Sequence, residues 1–159
     1  MANDDRPGRC SRQSDQRLSL FLKLVGVADL LAVVVVFLPT AWLGWAHNAV
    51  GLGTLPSGQI VGYLARSTSL LYGIHGAMLL VLANDVAHYH SLIRNYGRVM
   101  TVAGLLLVGV DMAESMPVWW TAFEGIAVVG IGVVILRLCH GMSNTDVERA
   151  NVTSEDSLP

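Results

Sequence analysis

Four stretches of the chain, about 18–38, 59–83, 99–116 and 118–138, are apolar over roughly the 20 residues a helix needs to cross a bilayer. A helix that is apolar on every side has nowhere to put most of its surface in water. In lipid it is satisfied, because its backbone bonds are internal. Composition agrees: of 159 residues 53% are hydrophobic and only 14% are charged, with a mean hydropathy of +0.53. Soluble chains carry about 25% charged residues, and a chain this short cannot hide so much apolar surface. An ordinary soluble domain is excluded, and so is a large transporter. The expected fold class is all-α, a bundle of four transmembrane helices.

Punctuation sets the boundaries. Residues 1–17 are polar, carry both signs of charge and read as a disordered tail. The first span ends at Pro39, and its apolar stretch is longer than the 7–15 residues or so of a signal-peptide core. With Asp29 inside it, it reads as a retained anchor. Residues 39–58 contain no Lys, Arg, Asp or Glu. Their first part, with Trp42, Trp45 and His47, reads as a short helix lying in the interface; the Gly- and Pro-rich remainder is a turn. Residues 84–98 form a polar loop, Pro117 breaks the last pair of spans, and residues 139–159 read as a second disordered tail.

Charge gives the orientation. Nine of the ten basic residues lie in or beside the N-terminal tail, the middle loop and the C-terminal end; the exception is Arg66. By the positive-inside rule both termini and the middle loop are cytoplasmic. All four tryptophans, Trp42, Trp45, Trp119 and Trp120, then fall at the outer interface, where such rings settle. Four spans with short connections imply an antiparallel up-down-up-down bundle in a cell inner membrane. The lipid bilayer is the expected partner, together with another membrane protein or a second copy of the chain. A net charge of −2 leaves no basic footprint for nucleic acid.

The chemistry lies in ionisable residues at membrane depth: Asp29, Arg66, Asp111, Glu114 and Glu124. Each is costly there and belongs on an inward face with a partner. At about 1.5 Å per residue, Arg66, Asp111 and Glu124 lie at a similar level, about 8–10 Å below the outer surface. Asp29 lies near the midplane, and Glu114 lies close to the interface. The helix faces fit this placement. Gly62, Arg66, Ser69, Gly73 and Ala77 share a side of the second span, and Gly97, Gly104 and Asp111 recur every seven residues on the third. Gly26 neighbours Asp29 on the first. One cation among several carboxylates points to a buried network of Arg66 with Asp111 and Glu124. Such a network is either a device that fixes helix register or a binding site or proton path.

His75 is the one histidine deep in a span, so a bis-histidine haem is not expected. It reads as a core residue bonded to a hydroxyl or a backbone carbonyl. His88 and His90, two apart, point to different sides of a helix and suggest no metal site. Cys10 and Cys139 read as free thiols. No nucleophile elbow, P-loop, dinucleotide fingerprint or zinc-protease motif is present, so no catalytic residue and no cofactor is assigned.

The string Tyr63-Leu-Ala-Arg66-Ser-Thr-Ser69-Leu-Leu-Tyr72, with Asp111-x-x-Glu114-x-Met116-Pro117-x-Trp119-Trp120 and Glu124-Gly125, resembles small four-helix bacterial membrane proteins of the planctomycete type. The resemblance spans residues 18–138 and brings no established activity. In architecture alone the chain is similar to DoxX-like proteins, some of which are linked to quinone or thiosulfate chemistry. The expected function is a non-catalytic accessory or scaffold subunit built on the Arg66 network. Its rival is a carrier or binder of a small cation, proton or amphiphile in an outer acidic pocket of Asp29, Asp111, Glu114 and Glu124. A quinone-linked redox protein is the third reading.

Overall fold

Apolar, Gly-interrupted segments of this length fold as helices, and the computed structural model is helical throughout its described regular elements. It describes residues 6–56 and 58–155, with side chains for 13–56 and 58–141. The elements are α1 (Arg6–Leu31), α2 (Val34–Phe37), α3 (Thr40–Ala49), α4 (Gln59–Asn84), α5 (His90–Ala113), α6 (Val118–Thr121), a π segment (Ala122–Ile126) and α7 (Ala127–Glu155). Four stretches are long and apolar enough to cross a membrane: Gln13–Phe37, Gln59–Asn84, His90–Ala113 and Val118–Gly141. Helix extends past the apolar segments at both ends, taking in residues 6–17 and 139–155 that read from sequence as tails. Residues 1–5 and 156–159, and the side chain of Cys10, lie outside the described residues.

The chain divides into two compact units, residues 21–84 and residues 1–20 with 85–159. The first is a hairpin built on α4, α2 and the second part of α1. Its seam is made by glycine. A Cβ on Gly26 would stand 2.9 Å from the Gly76 carbonyl oxygen, and one on Gly76 would stand 2.7 Å from the Leu30 nitrogen. Val33 presses its side chain onto Gly73. Only bare backbone lets two helices come this close. Leu22, Leu79, Leu82 and Ala83 are buried at the end of this hairpin nearest Asn84. The small-residue face of α4 runs through Gly62, Ser69, Gly73 and Gly76, all buried; Ala77, expected on it, is exposed.

The first span is not one helix. After Leu31 the chain tightens, with Ala32 bonding back to Asp29 and Val33 to Leu30, before α2 resumes. These are three-residue spacings, the narrower helical turn that marks a local break. The β-branched run from Val33 to Val36 favours helix only slightly less than other residues, and the break falls where Val33 is committed to Gly73 across the hairpin. Pro39 then ends α2, and α3 forms as the expected short helix. Gly51 and Gly53, at φ of 81° and 80°, turn the chain back, and His47 Nδ1 donates to the Gly53 carbonyl at 3.0 Å.

The second hairpin pairs α5 with α7 and the π segment. A Cβ on Gly104 would stand 2.6 Å from the Val129 nitrogen and 2.9 Å from the Gly125 carbonyl. Gly97 meets Ile135 and Gly132, and Gly132 meets Thr101. Ile93, Ile135 and Cys139 are buried at the end nearest His90. At the other end α5 closes through Ser115, whose φ of 55° is in the left-handed region. Met116 N–H bonds the Asp111 carbonyl and Ser115 N–H the Met112 carbonyl, a double closure that usually employs glycine. Pro117 follows and starts α6.

The outward faces of both hairpins are apolar. Phe37, Val118, Phe123 and Met112 are 73–86% exposed, as are many Leu, Val and Ile side chains to a lesser degree. A surface of this kind is stable against lipid and not against water.

Candidate functional site

Asp29 lies one turn after Gly26, on the face that meets α4, and its backbone carbonyl takes the first tightened bond of the helix break. His75 lies beside Gly76, the other half of the glycine seam. The seam brings the two side chains together. With Asp29 ionised, His75 Nδ1 donates to Asp29 Oδ2 at 2.7 Å. The distance is short, as expected when one partner carries charge. The side chains are 24% and 21% exposed for His75 and Asp29, so the pair is neither sealed nor on the surface.

What this geometry can do follows from the groups. An imidazole whose Nδ1 is held by a carboxylate carries its exchangeable proton on Nε2. With that proton bound, the pair is an imidazolium–carboxylate with no net charge. Without it, the pair carries one negative charge. The two states differ by one proton and by a full charge, between two helices apolar and long enough to cross a membrane.

The sequence alone puts Asp29 near the midplane and His75 well inside its span without joining them. It suggests a hydroxyl or carbonyl partner for His75, and the structure sets the Asp29 carboxylate against its Nδ1. The signal was there: two ionisable residues at one level, each beside a glycine of the same seam.

The expected network residues sit as follows. Arg66 is half-buried on α4 and bonds within its own hairpin. Nη2 donates to the Leu38 carbonyl at 3.0 Å and to Thr40 Oγ1 at 3.3 Å, and Nη1 donates to the Gly62 carbonyl at 3.3 Å. Leu38 precedes Pro39, so its carbonyl sits at a helix end where the backbone ladder stops. Asp111 and Glu124 belong to the other unit. Asp111 is buried on the face of Gly97 and Gly104, as the seven-residue spacing predicts. Glu124 is half-buried in the π segment and accepts a hydrogen bond from Trp120 Nε1. Glu114 is exposed at the end of α5.

Compared with family models, curated proteins and solved structures, the chain matches none. The site therefore rests on its own geometry.

The remaining polar residues support structure. His88 N–H bonds Asp85 Oδ1 at 3.0 Å, and His90 Nε2 lies 3.4 Å from the Cys139 carbonyl. Cys139 is a free, buried thiol. Among the described residues no three His, Cys, Asp or Glu side chains converge as metal ligands. Trp42 and Trp45 are 63% and 74% exposed on α3 and line a shallow apolar hollow with Ala41.

Proposed function

We propose that the chain is a multi-pass protein of a bacterial inner membrane and a proton-binding subunit without catalytic activity of its own. Its working group is the Asp29–His75 pair. The observation that carries the reading is the 2.7 Å contact between these side chains across two apolar, membrane-length helices. A buried ion pair meant only to lock helices is served by arginine, whose charge is permanent. Histidine is the side chain whose charge ordinarily changes near neutral pH. The break after Leu31 supports the reading, since irregular helix at membrane depth is tolerated where it serves a cavity or a site.

The topology belongs to the same proposal: an antiparallel up-down-up-down bundle with both termini and the α4–α5 connection cytoplasmic, a connection of residues 85–89 because α5 already starts at His90 within the stretch that reads from sequence as a loop. Its support is the distribution of Lys and Arg and the order of contacts within each hairpin. Gly26 meets Gly76 and Val33 meets Gly73 in one; Gly97 meets Ile135 and Gly104 meets Val129 in the other. We read Arg66 as a brace for the α2–α3 junction of its own hairpin, because three of its donors go to that hairpin's carbonyls and hydroxyl.

The test is infrared difference spectroscopy of the full chain in lipid between acid and alkaline buffer. Wild type is expected to show imidazole bands with a coupled carboxylate shift; the pair's share of both is lost in His75→Gln, and in Asp29→Asn the carboxylate shift is lost while the imidazole bands move. Bands unchanged in both variants overturn the reading.

A further inference from the structure

The second hairpin holds a separate acidic feature. Between Arg98 and Arg137 the chain contains Asp111, Glu114 and Glu124 and no Lys or Arg. Asp111 is 5% exposed, and its Oδ2 has no hydrogen-bond partner. A buried carboxylate oxygen left without a donor is rare and calls for a water, an ion or a ligand. Its place in the helix sharpens the point. Asp111 lies in the last turn of α5, where the backbone carbonyls give the helix its negative end and cations are favoured. That turn has no basic residue.

The π segment supplies a second carboxylate within about one helical turn of that level. Gly125 abuts Val108, so Asp111, one turn beyond Val108, stands level with the start of the π segment. Glu124 directly precedes Gly125, with Oε2 held by Trp120. A π turn inside an α-helix shifts the register of the side chains it contains and often marks a site. The closed end of this hairpin thus concentrates negative charge: a helix C-terminus, a buried and unpartnered carboxylate, and a second carboxylate on the facing helix.

We infer that this end of the second hairpin binds one small monovalent cation, with Asp111 as its principal ligand and Glu124 as the neighbouring carboxylate. One buried carboxylate balances one charge. A divalent ion demands more anionic ligands than converge here, since no three such side chains do so among the described residues.

The test is the thermal stability of the detergent-solubilised full chain against Na⁺ or K⁺, with N-methylglucamine as the bulky replacement at constant ionic strength. A ligand that binds only the folded state raises the midpoint as its concentration rises, here by about 2–4 °C between about 1 and 200 mM. Wild type is expected to respond to at least one of the two ions and not to N-methylglucamine, and Asp111→Asn to neither ion. Glu124→Gln is expected to need about three-fold more ion or higher, and it decides the matter if Asp111→Asn does not fold. Asp29→Asn is expected to respond as wild type does, which separates this site from the Asp29–His75 reading. A wild type indifferent to both ions overturns the inference. So does an undiminished response in Asp111→Asn, or in Glu124→Gln where that variant decides. A response to pH alone also overturns it and leaves Asp111 a protonated carboxyl.

Discussion

Gly76 shows how tightly single residues are specified. Any Cβ there would fall 2.7 Å from the Leu30 nitrogen and 3.1 Å from the Asp29 Cβ, so the first hairpin would have to open. The residues displaced include Asp29, whose carboxylate holds His75. Gly76→Ala is therefore expected to cost about 1–3 kcal/mol, as overpacking does. Gly109→Ala, with nothing within 4 Å of the new carbon, is expected to change stability by no more than about 0.5 kcal/mol. Unfolding titrations of both variants in one detergent check the contrast, and equal losses contradict the seam. Ser115 is a different kind of exception: a residue with a side chain in a turn that favours glycine, held there by two backbone bonds to the end of α5.

At the scale of elements, Arg66 ties α4 to the junction where α2 stops and α3 starts. Its removal leaves the Leu38 carbonyl and the Thr40 hydroxyl without their donor. Arg66→Met is expected to lose about 1–3 kcal/mol, the cost of an unsatisfied polar group in a half-buried setting. Amide exchange of Trp42 and Leu43, the first bonds of α3 back to Pro39, should quicken in the same variant. Arg66→Lys is expected to recover only part, because an ammonium lacks the planar fork. Hydrogen-exchange mass spectrometry over 37–49 reads both effects.

This scale also separates what could be read from the sequence from what could not. The four membrane-length apolar helices, the short helix with Trp42 and Trp45, and the face of Gly97, Gly104 and Asp111 follow from length and periodicity. The break at Ala32–Val33 and the π segment at Ala122–Ile126 do not. Both depend on what lies across the helix: Val33 against Gly73, and Gly125 against Val108. The Asp29–His75 pair stands between the two cases. Its members and their depth were legible; their contact required the register that the glycines impose.

At the scale of the molecule, the chain is two glycine-seamed hairpins with large apolar side chains facing outward. The proposed topology makes a direct prediction in cells. In a chain with Cys10 and Cys139 replaced by serine, a cysteine at Asn48 is expected to react with a membrane-impermeant maleimide added outside. A cysteine at His88 is expected to react only after permeabilisation. The reverse pattern inverts the bundle, and equal labelling of both places 48 and 88 on one side.

The glycine seams carry a consequence for how such a chain can change over time. In a soluble protein the large buried residues record the fold, and the surface drifts. Here the outward Leu, Ile, Val and Phe need only be apolar and can exchange freely, while Gly26, Gly76, Gly104 and Gly132 admit no substitute without parting two backbones. Descendants of this chain would share few of their bulky residues and keep the spacing of their smallest ones.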